Sequence, residues 1–515
     1  MFTTEQKVST YVNMKTSRNK SETQKQPRKL KKYMQGKLAF VFLVTTLALF
    51  ALGIIVVTIS YRDNEEYARI VLAQQDYDSR VITAQRGSIT DRNGTVLATN
   101  EPVYNLILDP AVMLADTNYT DVTLDALVEC FGFDRGELSA LIESRSTSSY
   151  VRYKRQMPAE DKERFEAMQK EFNTAALKND EPYRIRGVWF ETEYRRIYPY
   201  DSLASQVIGF SGSDGTSGSY GLEQYYNEIL AGTNGREYGY LSDESNLERV
   251  TKEAEDGDTL VSTIDANIQK ILEEKIASFM STVGAKETAV IAMDPDTGEI
   301  LGMATSTPFD LNRPGDLSAY YTDAQLDAGN VENLLEYYTQ EQIDGMDEET
   351  RALNLKAARQ NSIWRNYCIS ETIEPGSTAK VFTVAAGLEE GIVSPNDSFY
   401  CDGGEEFPGA RPTCHLKSGH GMLTLKQSLM ESCNDALMQI GIRIGVEQFS
   451  KYQDIFNFGM KTGIDLPGEE RGLVWEDDQV TDLTLATESF GQNFNVTMVQ
   501  MAAAYCSIVN GGYYY

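Results

Sequence analysis

From Leu38 to Tyr61 the chain runs for 24 residues without a charged side chain, and this stretch contains the block LAFVFLVTTLALFALGIIVV. At ~1.5 Å rise per residue a helix of that length crosses a hydrocarbon layer of about 30 Å, so the segment decides where everything else can fold. A cleaved leader would have a shorter apolar run and small residues at a cleavage site. Here Tyr61-Arg62-Asp63 follows, and the segment is expected to remain as a single N-terminal transmembrane helix, residues 38–61. The flanking charges give its direction. Residues 1–37 carry ten Lys/Arg against two acids, whereas residues 62–515 carry 37 against 74. The positive-inside rule therefore makes 1–37 a cytoplasmic tail and sends the chain after Arg62 outside the membrane. The net charge of -29 argues against nucleic acid as a partner, and 41% hydrophobic residues require the outer part to bury real cores.

Punctuation divides that outer part. Asn93-Gly94 between apolar runs predicts a type I′ hairpin, residues 115–180 show helical spacing, and a β-rich stretch covers Tyr183 to Tyr198. This is the pattern of an elongated, non-catalytic mixed α/β module over residues 62–256. Glu160-Asp161-Lys162-Glu163-Arg164-Phe165 within it reads as a charged helix face. The acidic run Glu253 to Asp258 marks a boundary, after which a strand at Thr259 to Ile264, a helix with Ile268, Ile271, Leu272, Ile276 and Phe279 on one face, and two strands around Asp294-Pro295-Asp296-Thr297-Gly298 predict an α+β domain over 257–515. Residues 315–350 read as a polar surface excursion.

Chemistry concentrates in that second domain. Glu374-Pro375-Gly376-Ser377-Thr378-Ala379-Lys380 introduces a short run that is apolar almost all round, hence a buried helix with Ser377 at its start. Backbone amides there lack intrahelical partners and can stabilise an oxyanion, while Lys380, three residues on, shares the serine's face. A buried lysine can lose its proton and serve a nucleophile as base. Taken alone, Ser-x-x-Lys is more simply an N-cap followed by a lysine reaching for water. A second cluster changes the balance. Thr424-Leu425-Lys426-Gln427 has capping-box form, and Asn434 or Asp435 can cap the next helix, so Ser432-Cys433-Asn434 falls at a helix junction from which a hydroxyl and an amide can project into a cleft.

Six cysteines and two histidines complete the chemical inventory. Cys401, Cys414, His415 and His420 invite a zinc reading, but the cysteines stand thirteen positions apart rather than three to five, and no second ligand pair is evident. A disulfide or two free thiols at Cys401 and Cys414 is the simpler expectation, with no metal and no organic cofactor. Cys433 as a thiol nucleophile beside His420 lacks the helix-start position and the base three residues on that Ser377 has.

Together these motifs resemble the penicillin-binding proteins, specifically the monofunctional class B kind. The likeness covers nearly everything after the apolar segment: Arg86-Gly87-Ser88-Ile89-Thr90-Asp91-Arg92-Asn93-Gly94, Tyr220-Gly221-Leu222-Glu223, the Ser377-Lys380 segment, Gly419-His420-Gly421, Thr462-Gly463-Ile464-Asp465-Leu466-Pro467-Gly468-Glu469 and Phe490-Gly491-Gln492. The resemblance implies a pedestal module followed by a β-lactamase-like transpeptidase domain. It makes Ser377 the acylated nucleophile and Lys380 its base; Ser432 would relay a proton towards the leaving D-alanine, and Asn434 would hold the peptide amide and help fix Lys380. The implied substrates are D-Ala-D-Ala stem peptides of nascent peptidoglycan, with β-lactams as mimics. The implied partners are the membrane, a polytopic glycan polymerase and other cell-wall synthesis proteins.

A β-lactam sensor or a scaffold with a vestigial serine site is the competing class of function; a sensor would be expected to carry a signalling domain or several spans. The family's third motif, Lys-(Thr/Ser)-Gly, lies on a strand edging the cleft. The literal match Lys461-Thr462-Gly463 sits in a different family loop, so Lys461 is read as a decoy and the chain as C-terminally truncated.

Overall fold

The computed structural model describes residues 37, 40–53, 79–212, 215, 217–241, 247–326 and 330–515. Residues 40–53 are helical, with the Thr45 and Thr46 hydroxyls bonded back to carbonyls of the preceding turn. Among the described residues no helix is long and apolar enough to cross a membrane. The rest of the apolar segment expected to span, and most of the cytoplasmic tail, lie outside the described residues.

Ser79–Tyr515 forms one compact unit. Its first part is organised by the long strand Val96–Leu108, which pairs antiparallel with Val151–Met157 on one side and Val188–Ile197 on the other. The helices Thr117–Phe131, Arg135–Ser144 and Ala159–Lys178 pack around Leu106, Leu108, Leu127, Leu138, Phe165 and Phe190. Residues 115–180 are thus not purely helical. Val151–Met157 alternates buried and exposed positions only at its ends, so its charged middle hides the strand period. Asn93-Gly94 does lie in the turn between Ile89–Thr90 and Val96–Leu108, but only Gly94 has positive φ (89°), which rules out type I′. The Asp91 carboxylate organises the turn instead, accepting from the amides of Asn93 (2.8 Å) and Thr95 (2.7 Å).

The motif residues Arg86 and Glu223 meet in a buried ion cluster. Arg86 Nε stands 2.6 Å from Glu223 Oε2, Arg196 Nε 2.7 Å from Oε1, and Tyr198 donates to Oε1 at 3.2 Å. Gly87 is required beside it, since a Cβ there would sit 1.8 Å from the Asp258 carbonyl oxygen. Packing does not break at the acidic run. Leu260–Val261 adds parallel to Ile89–Thr90, and one core holds Ile89, Leu97, Leu222, Ile264, Met303 and Leu466 together. The helix Ala266–Thr282 and the antiparallel strands Ala289–Met293 and Ile300–Thr305 follow as the sequence predicts. Residues 315–350 contain short helical turns, and the helix Glu348–Trp364 comes after them.

Two further cores carry the chemistry. The helix Asn434–Ile444 is buried against Val384, Ala386, Phe399, Leu485 and Phe490, while Phe382, Phe456, Phe458 and Phe494 form an aromatic cluster under the start of Lys380–Glu389.

Candidate active site

Ser377 lies on a single 3-10 turn, Gly376–Ala379, that leads directly into the helix Lys380–Glu389. The turn is held from below by the Phe490-Gly491-Gln492 segment. Gly376 donates to the Gly491 carbonyl at 2.8 Å, and a Cβ on Gly491, whose φ is 93°, would come within 1.9 Å of the Gly376 oxygen. Close approach of the two backbones therefore requires glycine at 491, while at 376 a Cβ would meet nothing and the left-handed φ of 56° favours glycine instead. Glu374 adds a further tie by accepting from the Asn493 amide at 2.8 Å.

Ser377 is exposed, whereas Lys380 is only 2% exposed. The lysine does not reach for water. Its ammonium donates to the Ser432 carbonyl (2.7 Å), Ser432 Oγ (2.9 Å) and Asn434 Oδ1 (2.7 Å), and Ser432 Oγ donates to Ser377 Oγ at 3.0 Å. The four residues singled out by sequence therefore converge. Their connectivity differs from expectation, because Lys380 meets Ser377 through Ser432. Among the described residues Lys380 has no carboxylate partner, and burial pulls its pKa down from 10.5 to about 8.

Ser432 adopts φ 48°, a left-handed conformation rare for a residue with a side chain, and this turns its carbonyl and hydroxyl together towards Lys380. Thr424 and Gln427 form the predicted capping box on Leu425–Met430. The cap of the next helix is a correction: neither Asn434 nor Asp435 but Cys433 occupies it, its sulfur accepting from the Ala436 amide at 3.4 Å. Asn434 is thereby freed to face Lys380, and Asp435 is buried, accepting from the amides of Asp402 and Gly403 and from Gln439. Cys433 is fully buried, and burial pushes its thiol pKa far up, which removes it as a nucleophile.

Cys401 and Cys414 are free thiols, one of the two expected states, and they gather with a set that differs from the local Cys/His pattern. Cys401, Cys414, His420 and Cys433 place one potential ligand atom each within 4.8 Å of one another. The sequence reading had His415 as a candidate and missed Cys433, which lies outside the local Cys/His cluster and joins it only through the fold. All six cysteines are free thiols here.

Lys461-Thr462-Gly463 is on a loop, not a strand. Thr462 donates to Glu469 Oε1 from both its amide and its hydroxyl, each at 2.6 Å, and the Gly463 amide donates to Oε2 at 3.2 Å. Its ties run to the Thr462–Glu469 loop and not to the Ser377 cluster.

Residues 81–262 match the penicillin-binding protein dimerisation domain family, and residues 288–515 match the penicillin binding protein transpeptidase domain family. The chain belongs to the class B penicillin-binding proteins. Among curated relatives it is 30% identical over 438 residues to the stage V sporulation protein D of Bacillus subtilis, covering 84% of this chain and 58% of that protein. It is 26% identical over 488 residues to the probable peptidoglycan D,D-transpeptidase PenA of Neisseria gonorrhoeae, covering 93% of this chain and 72% of the relative. The fold matches penicillin binding protein 2X from Streptococcus thermophilus with a TM-score of 0.63 at 23% identity, over 84% of this chain and 60% of that one. It also matches penicillin binding protein 3 from Mycobacterium tuberculosis, solved with ampicillin, with a TM-score of 0.53 at 22% identity, over 84% of this chain and 65% of the other.

Proposed function

We propose that this penicillin-binding protein is a serine-type D,D-transpeptidase that cross-links peptidoglycan stem peptides. The observation that carries the reading is the continuous hydrogen-bonded path from Ser377 Oγ through Ser432 Oγ to a buried lysine that has no carboxylate partner among the described residues. A neutral Lys380 takes the Ser377 proton, by way of Ser432, as Ser377 Oγ bonds to the penultimate D-alanine carbonyl of the donor peptide. The Ser377 amide, at the first turn and so without an intrahelical partner, faces the developing oxyanion. The proton returns through Ser432 to the departing D-alanine amine as the amide bond breaks. An amine of a neighbouring stem then attacks the acyl ester, and Ser377 recovers its proton from the same path. Asn434 fixes Lys380 and offers its amide to the substrate backbone.

The same reading places residues 1–37 in the cytoplasm, 38–61 across the bacterial membrane, and the pedestal 62–256 and transpeptidase domain 257–515 outside it. It gives the protein a glycan polymerase and other cell-wall synthesis proteins as partners. Mass spectrometry after penicillin treatment should place the adduct on Ser377. Lys380→Arg should slow acylation by roughly 10²–10⁴-fold, because arginine does not deprotonate at accessible pH. An adduct on Ser432, or labelling of the arginine variant at the wild-type rate, would remove the assignment.

A further inference from the structure

We propose that Glu488 and Gln453 hold one buried water molecule beneath the start of the helix Lys380–Glu389, and that this bridge keeps the turn carrying Ser377 at its working position. The second half rests on the transpeptidase reading above; the first half does not.

A cavity of about 20 Å³ lies against the catalytic helix. Ala379, at the end of the Ser377 turn, and Phe382 and Thr383, on the helix that follows, form one wall. Phe449 and Gln453 on the helix Val446–Ile455 form a second, and Glu488 a third. A water needs ~10–15 Å³ of such space together with about two to four polar partners, so there is room for one.

Two polar side chains on those walls supply the partners. Glu488 is 1% exposed and Gln453 5%, and neither Glu488 Oε1 nor Gln453 Nε2 has a hydrogen-bond partner among the described residues. Buried polar atoms are nearly always paired, because an unpaired one loses its hydration and gains nothing in exchange. These two are of complementary kind, since an amide Nε2 can only donate and a carboxyl oxygen accepts. They line one cavity without bonding to each other, and a molecule that accepts from the first while donating to the second satisfies both. Water does this in the space given. A cation does not, because the Gln453 amide would turn its hydrogens towards it. Burial also pushes the Glu488 carboxyl up to about 8, so at neutral pH it is uncharged and calls for no counter-ion. The other hydroxyls on the walls are committed: Thr383 donates to the Ser489 carbonyl at 2.9 Å and Tyr452 to Glu390 at 3.0 Å.

The bridge reaches the nucleophile in short steps. The Glu488 carbonyl accepts from the Gly491 amide at 2.9 Å, the Gly491 carbonyl accepts from the Gly376 amide at 2.8 Å, and Ser377 is the next residue. The Thr383 bond to Ser489 joins the same segment to the helix that carries Lys380. Apolar contact presses the helix Val446–Ile455 against this corner, but such contact is non-directional and does not fix where one surface sits along the other. A water bonded to Gln453 and Glu488 adds the directional tie, with preferred distances and angles at both ends. Glu488 and Gln453 are therefore positioning residues that act on Ser377 through the backbone.

The test uses the full chain purified in detergent. Crystals that resolve ordered water should show one peak at hydrogen-bonding distance from both Glu488 Oε1 and Gln453 Nε2. A direct Glu488–Gln453 bond with nothing between them, or a metal ion in place of the peak, overturns the water site. Glu488→Leu removes one partner and puts an apolar side chain into an apolar corner, so the water should leave while the fold stays. Rapid-mixing kinetics with penicillin should then show the acylation step slowed roughly tenfold and the initial binding constant unchanged, since misplacing a reacting group by ~1 Å can cost up to ~10²-fold. Glu488→Gln, which keeps a neutral acceptor oxygen, should hold the water and restore the rate. Gln453→Leu reaches the bridge from its other end and carries the same comparison if Glu488→Leu does not fold. It should slow acylation by a similar factor, and the double leucine variant should be no slower than either single one, because all three lose the same water. Losses that multiply in the double variant, or expulsion of the water with acylation at the wild-type rate, overturn the positioning role alone. The water in place in a chain that penicillin never acylates overturns the transpeptidase reading and leaves the water site standing.

Discussion

Two of the buried charge clusters among the described residues differ in one respect. In the pedestal, Glu223 is fully buried but sits between Arg86 and Arg196, with Tyr198 donating as well. In the catalytic domain, Lys380 is equally hidden and meets only neutral oxygens, from Ser432 and Asn434. Hydrogen bonds to neutral dipoles satisfy the ammonium geometrically, yet they replace less of its lost hydration than a counter-charge would. Paired buried charge makes a clamp; unpaired buried charge makes a group whose proton can move. The same family motifs thus supply a structural device and a reactive one, and the partner's charge separates them.

The sharpest way to break that comparison is to unpair the clamp. Glu223→Ala leaves two guanidiniums buried without their carboxylate, and removing one partner from a buried ion cluster typically costs about 3–5 kcal/mol. Chemical denaturation should show a loss of that size. The folded fraction should still acylate Ser377 at close to the wild-type rate, because no Glu223 contact reaches Lys380. A stability change below about 1 kcal/mol would show that the guanidiniums find solvent, and that the cluster is not a clamp.

How far the sequence disclosed these clusters depends on the range of the interaction. Ser377 and Lys380 were legible because both lie on one helix turn, where spacing alone fixes the face. Ser432 and Asn434 were legible through the capping box at Thr424 and the helix start after them. Which atom bonds which was not, because Lys380's preference for Ser432 depends on the positive φ at Ser432, and no local residue pattern demands it. The Cys433 cap was missed because a thiol is a weak acceptor and sequence rules favour Asn or Asp there. The fourth member of the cysteine cluster was missed for a different reason. Cys433 is nineteen positions from Cys414 and reaches it only when the helix junction folds back over the hairpin. In the pedestal, Arg86 and Glu223 were visible as motif residues, but Arg196 carried no signal, since nothing in the pair Arg195-Arg196 says that the first is exposed and the second buried.

A second buried glutamate tests the rule from the other side. Glu488 is 1% exposed, its Oε1 has no hydrogen-bond partner among the described residues, and burial raises its pKa from 4.5 to about 8. It lines a small cavity with Phe382, Phe449, Phe456 and Phe494. With its folded pKa above the unfolded value, its contribution to stability is fully present below about pH 4.5 and is lost as pH rises through about 8, where the folded state keeps a proton that the unfolded chain has released. Glu488→Gln imitates the protonated form at every pH. The variant should match wild type at pH 5 and be more stable by on the order of 3 kcal/mol near pH 8, read from denaturation midpoints at the two pH values. Equal stability at both would mean that Glu488 is charged and partnered in solution, and the contrast with Glu223 would fail.

The smallest expected effect comes from giving the reactive cluster the counter-charge that the clamp has. Asn434 Oδ1 accepts from Lys380 at 2.7 Å, and Asn434→Asp places a carboxylate oxygen at the same distance with almost no change in volume. In the wild type the neutral lysine is the base, so acylation should rise with pH and level off above about 8, falling tenfold for each unit below it. An opposite charge within ~4–6 Å favours the ammonium and raises its pKa by ~1–3 units. The acylation profile of Asn434→Asp should therefore shift alkaline by at least about one unit, a loss of roughly tenfold at pH 7 that closes as the pH approaches 10. Asn434→Ala separates charge from contact: it removes the same hydrogen bond without adding an anion, and its profile should stay at or below the wild-type midpoint. If both variants lose activity equally at every pH, Asn434 acts by holding substrate and Lys380's protonation does not limit the rate. If only the aspartate moves the midpoint, the missing counter-charge is what keeps this lysine a base.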